Sequence, residues 1–128
     1  MKLRIKGNSI RLRVSPSDLT ALAENGKIKS AIHFADSPAA MWSYGIAQHS
    51  APAGPSIEFA SNGVTVSVAA EELKRWANSE DVGIFFSQNI GSQGILDVLL
   101  EKDFACLDRS DEENSDTFPN PNESCAVR

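Results

Sequence analysis

Residues 2–50 superimpose on residues 56–104 at a constant offset of 54 positions without a gap. Two copies of one unit restrict the fold to architectures that such units can build together. Apolar residues meet at Leu3/Ile57, Ile5/Phe59, Ile10/Val64, Leu12/Val66, Val14/Val68, Leu19/Leu73, Leu22/Trp76, Ile28/Val82, Ile32/Phe86, Trp42/Leu96, Tyr44/Val98 and Ile46/Leu100. Asn8 and Asn62 coincide inside the corresponding turns.

Each half reads alike. Lys2 to Lys6 and Ile10 to Val14 alternate strictly around Gly7-Asn8-Ser9, and Ile57 to Ala60 and Val64 to Val68 do so around Ser61-Asn62-Gly63. Alternation at a period of two marks half-buried strands, and Gly and Asn tolerate the positive φ of a hairpin turn. Ser15-Pro16-Ser17-Asp18 then places an N-cap, a first-turn proline and an early carboxylate, and Asn25-Gly26 stops the predicted helix. The counterpart helix, Ala69 to Asn78, has Glu71 and Glu72 early and Lys74 and Arg75 late, the order that complements a helix dipole.

The order is therefore ββαββ twice, an α+β chain of eight strands and two helices. Eight antiparallel strands would form either a closed barrel or a strongly curved sheet with both helices on its apolar outer face. The expected domain covers residues 1–107, with a separate tail over residues 108–128. The first part carries ten Lys/Arg against eleven Asp/Glu, whereas the tail carries two against six, so the net charge of −5 resides largely in the tail. Hydrophobic residues at 41% and charged residues at 23% are ordinary globular proportions and exclude a wholly disordered or fibrous chain. No apolar run is long enough for a bilayer span and no apolar export signal follows Met1, so the expected location is cytoplasmic, without membrane association. In that setting Cys106 and Cys125 are expected as thiols rather than a disulfide.

If the apolar strand faces are covered, chemistry belongs on the opposite faces. The first half contributes Lys2, Arg4, Lys6, Arg11, Arg13, Lys27, Lys29 and His33, and the second contributes Glu58, Thr65, Ser67, Ser87, Asp97, Glu101 and Asp103. In a barrel lumen, clustered cations suit a phosphate chain, because arginine presents forked donors that match phosphate oxygens. The candidate phosphate-binding set is Arg4, Lys6, Arg11, Arg13, Lys29 and His33; Glu58, Glu101 and Asp103 are the candidate ligands for Mg²⁺ or Mn²⁺. The plainer alternative is a solvated polar face in which opposite charges pair across strands.

This doubled arrangement, with a basic interior face and a few carboxylates, resembles the triphosphate tunnel (CYTH) enzymes. That resemblance covers residues 2–104 and implies an eight-stranded barrel hydrolysing or cyclising triphosphates with a divalent metal. Where those enzymes carry Glu-x-Glu-x-Lys, this chain has Lys2-Leu3-Arg4-Ile5-Lys6. Met1 to Arg13, Leu100-Glu101-Lys102-Asp103-Phe104 and Phe118-Pro119-Asn120-Pro121-Asn122 are also similar to a small bacterial protein family, a domain of unknown function.

Two functional expectations follow: a protein binding or hydrolysing a phosphorylated small molecule, or a non-enzymatic protein–protein interaction module. Nucleic acid is not expected, since the basic hairpin lacks interleaved aromatic platforms and is offset by acidic segments. His33, His49, Cys106 and Cys125 lack the close pairs that preorganise zinc. The acidic tail is expected to carry an anchor at Phe118 that docks on its own domain or on a partner.

Overall fold

The computed structural model describes residues 1–50 and 54–104. The expectations for residues 105–128, including Cys106, Cys125, Phe118 and the acidic tail, lie outside the described residues.

The chain runs β1 (Lys2–Lys6), β2 (Ser9–Val14), α1 (Pro16–Asn25), β3 (Lys27–His33), β4 (Met41–His49), β5 (Ser56–Ala60), β6 (Gly63–Ala69), α2 (Ala70–Ala77), β7 (Gly83–Asn89) and β8 (Ile95–Lys102). Local chemistry accounts for the first helix. The Ser15 hydroxyl accepts from the Asp18 N–H at 3.1 Å, and the Asp18 carboxylate accepts from the Ser15 N–H at 2.9 Å. Gly26 ends the helix at φ 77°, a left-handed conformation that costs glycine little, and donates to the Leu22 carbonyl. α2 has no side-chain cap and relies on its buried Leu73 and Trp76.

The expected eight-stranded barrel or curved sheet is not formed. The strands make two separate four-stranded sheets: sheet A, in the order β1-β2-β8-β7, and sheet B, in the order β3-β4-β6-β5. Nor is the pairing wholly antiparallel, because the central pairs β2/β8 and β4/β6 are parallel. The two hairpins of one half do not pair with each other; each sheet combines a hairpin from the first half with one from the second. The helices also depart from the expectation. Leu22 of α1 and Leu73 and Trp76 of α2 enter the same core as Leu12, Val14, Val98 and Leu100 of sheet A and Ile46, Val66 and Val68 of sheet B. One core thus serves both sheets, although Ile5, Ile32 and Phe59 on the same strand faces remain exposed.

The central pairings repeat at the 54-residue offset: Ser9 faces Asp97 as Gly63 faces Ser43, and Val14 faces Lys102 as Val68 faces Gln48. The gapless register fails at β7. Ile28 pairs with Ile46, and Ile84 pairs with Leu100, the counterpart of Ile46. Ile84, not Val82, therefore stands where Ile28 stands; it is buried, while Val82 is 56% exposed. The cause is a longer connection, since α2 ends at Ala77 and β7 begins only at Gly83, whereas Gly26 alone separates α1 from β3.

Among the described residues no helix is long and apolar enough to cross a membrane.

Candidate functional site

With the inner faces committed to the core, the alternate residues of each sheet face away from it. On sheet A the register sets Lys2, Arg13, Glu101 and Gly83 in one row, Arg4, Arg11, Leu99 and Phe85 in the next, and Lys6, Ser9, Asp97 and Ser87 in a third. On sheet B the corresponding rows are Lys27, Ala47, Ser67 and Ser56, then Lys29, Gly45, Thr65 and Glu58. The candidate phosphate residues divide accordingly. Arg4, Lys6, Arg11 and Arg13 share the outer face of β1 and β2, whereas Lys29 and His33 lie on the outer face of β3 in the other sheet.

The three candidate metal ligands divide in the same way. Glu58 is on β5 of sheet B, and Glu101 and Asp103 are at the end of β8 in sheet A. Both of the latter are engaged by cations. The Glu101 carboxylate accepts from Arg13 Nε at 2.6 Å and lies 3.6 Å from Arg11 Nε, while Asp103 is 2.8 Å from Lys2 Nζ. Among the described residues no group of three or more His, Cys, Asp or Glu could share a metal ion.

The remaining charges are distributed unevenly. Asp97 accepts a hydrogen bond from the Ser87 hydroxyl at 2.6 Å. The side chains of Arg4 and Lys6 make no hydrogen bond or ion pair with the described residues. Across β2 from them lie apolar side chains: Phe85, 64% exposed, faces half-buried Leu99, and Ile95, 58% exposed, lies two rows further along β8 beyond Asp97. The outer face of sheet A is thus cationic along β1 and β2, while along β8 and β7 it sets Leu99, Phe85 and Ile95 among Glu101, Asp97, Ser87 and Asn89. Sequence reading identifies the cations but not Phe85, Ile95 or Leu99. A signal exists in the alternation Ile84, Phe86 inward and Phe85 outward, but it becomes legible only once the register of β7 is known.

An enclosed lumen around the cations would have strengthened their hold on a small anion by excluding water. An open face instead leaves Arg4 and Lys6 hydrated, where single contacts are weak and several must act together.

Comparison with known proteins adds a family and no activity. No curated protein and no solved structure matches the chain. A family model matches residues 1–122, and the chain therefore belongs to the family of unknown function DUF7009.

Proposed function

We propose that the chain is a non-enzymatic interaction module whose working surface is the outer face of sheet A, and that its partner is a protein segment carrying carboxylate or phosphate groups beside an apolar side chain. The observation that carries this reading is the row Arg4, Arg11, Leu99, Phe85, which sets two cations next to two apolar side chains across all four strands of one open face. Arg4 and Lys6 receive the partner's anions, Phe85 and Leu99 receive its apolar group, and Glu101 offsets part of the charge of Arg13 and Arg11. Arginine is suited to this role because its planar guanidinium binds carboxylate and phosphate alike through paired donors. The reading uses no metal and no covalent step.

The test is binding of a panel of acidic and phosphorylated peptides with an aromatic or leucine residue, measured against the intact chain, Arg4→Glu/Lys6→Glu and Phe85→Ser. Binding that each variant lowers by about tenfold or more, corresponding to about 1.4 kcal/mol, supports the reading. Peptides that bind all three proteins equally, or none of them, overturn it. Pyrophosphate and triphosphate serve as a third arm: tight binding of these alone, indifferent to Phe85→Ser, would return the assignment to a small phosphorylated ligand.

A further inference from the structure

The other sheet carries a feature of its own. The outer face of sheet B is hollowed into a half-open groove of about 330 Å³, floored by the central strands β4 and β6 and walled by the edge strands β3 and β5. The hollow exists because the floor residues are small. A Cβ at Gly45 would lie 2.5 Å from the Ile28 carbonyl oxygen, and one at Gly63 would lie 2.5 Å from the Ser43 carbonyl oxygen, so the strands approach here only with glycine. The volume falls at the lower end of the range for small-molecule sites, about 300–1,000 Å³.

The polar groups of the groove are sorted by wall. Lys27 and Lys29 stand on one side and Glu58 on the other, and the side chain of none of the three makes an ion pair or hydrogen bond with the described residues. Between them the floor offers the hydroxyls of Ser43, Thr65 and Ser67. Ser43 is 5% exposed and lines the groove, yet its hydroxyl has no hydrogen-bond partner among the described residues. The residue is buried but its hydroxyl oxygen opens to the groove, where it is free to donate to or accept from whatever occupies that space.

We propose that this groove binds a short zwitterion, of dipeptide size, with its carboxylate at Lys27 and Lys29 and its ammonium at Glu58. The register dictates the spacing. Lys29 and Glu58 share one row but sit three strand spacings apart, about 14 Å between their Cα atoms, and the two side chains reaching inward leave about half of that. An extended dipeptide spans about 7 Å. Its single amide then lies over the floor, where Ser43, Thr65 and Ser67 can each donate or accept a hydrogen bond. A free anion would use only the lysine wall and a free amine only Glu58, so the groove discriminates for ligands that carry both charges.

Chemical-shift perturbation of the full chain by glycylglycine and alanylalanine tests the proposal, with N-acetylglycylglycine and glycylglycinamide as forms lacking one charge each. Thr65 is exposed, so Thr65→Phe fills the groove without entering the core, and unchanged thermal unfolding of that variant verifies its fold. The expected result is movement of the Lys29, Gly45, Thr65 and Glu58 amides by both dipeptides, at least about tenfold weaker binding of each blocked form, and loss of binding in Thr65→Phe. Glu58→Gln should weaken the dipeptides while leaving the N-acetyl form unchanged. No movement of these amides, equal binding of blocked and free forms, or full binding by folded Thr65→Phe would overturn it. None of these outcomes touches the sheet A surface, which Arg4→Glu/Lys6→Glu reports on separately.

Discussion

The side-chain amide of Gln88 hydrogen-bonds both backbone groups of Ile57, accepting from its N–H at 3.0 Å and donating to its carbonyl at 3.0 Å. Gln88 is on β7 of sheet A and Ile57 on β5 of sheet B, so one side chain acts as a single residue of strand joining the edges of two sheets. At the equivalent place in the other half stands Ile32, which has no amide to offer. The link therefore exists on one side of the pseudo-symmetric pair only. It also satisfies part of an edge that would otherwise invite pairing with another chain.

Gln88→Leu should destabilise the protein by about 1–3 kcal/mol, because two part-buried backbone groups of Ile57 lose their partners at once. Urea unfolding measures the loss, and hydrogen exchange should show the Ile57 amide losing protection ahead of the central strands. An unchanged Ile57 exchange rate would show that the bridge contributes nothing.

Asp18 should make stability pH-dependent. Burial of its carboxyl raises its pKa, but hydrogen bonds from the Ser15 backbone and hydroxyl and the amino group of Met1, 2.9 Å away, together hold it below the ordinary value of 3.8. A carboxylate depressed on folding contributes stability above its unfolded pKa, and that contribution disappears as pH falls through the lower folded value. Asp18→Asn should therefore cost about 0.5–2 kcal/mol at neutral pH, the usual range for a lost capping interaction. The difference from the parent should shrink below pH of about 4 in a urea series, following the carboxyl's own titration. A constant difference across that series would assign the effect to packing instead of charge.

Glu101→Gln should separate stability from binding. The carboxylate is 14% exposed and holds Arg13, so neutralising it should cost about 1 kcal/mol in urea unfolding. It also releases two arginines on the proposed surface of sheet A. Acidic peptides should then bind several-fold more tightly, with a steeper dependence on salt. Weaker binding would instead mean that Glu101 positions the arginines in the bound geometry.

Trp76 gives a contrast between volume and polarity. It is fully buried, its indole Nε1 has no partner among the described residues, and the Lys102 ammonium lies 6.0 Å from its ring. Trp76→Ala should cost about 3–5 kcal/mol through the cavity it leaves. Trp76→Phe removes the unsatisfied donor along with part of the volume, and the gain offsets some of the loss. Thermal unfolding should place the phenylalanine variant much nearer the parent than the alanine variant.

Much of the fold is legible in the chain. Ser15, Pro16, Asp18 and Gly26 specify a helix through bonds within a few residues, and the alternation from Lys2 to Val14 specifies two strands and their faces. The 54-residue offset correctly places Leu73 and Trp76 opposite Leu19 and Leu22 on the two helices. These are local or periodic properties, carried by each residue's own conformational preference. Which strands pair is different, because the ladder is made by backbone groups common to every residue, and a period of two assigns a face without naming a neighbour. The parallel pairing of β2 with β8, the two-residue displacement of β7, and the separation of Glu58 from Glu101 all follow from tertiary closure of one shared core. Tertiary structure likewise set Leu99 beside Arg11 and opened the Ser43 hydroxyl to a groove, because both depend on strands brought together from opposite halves of the chain.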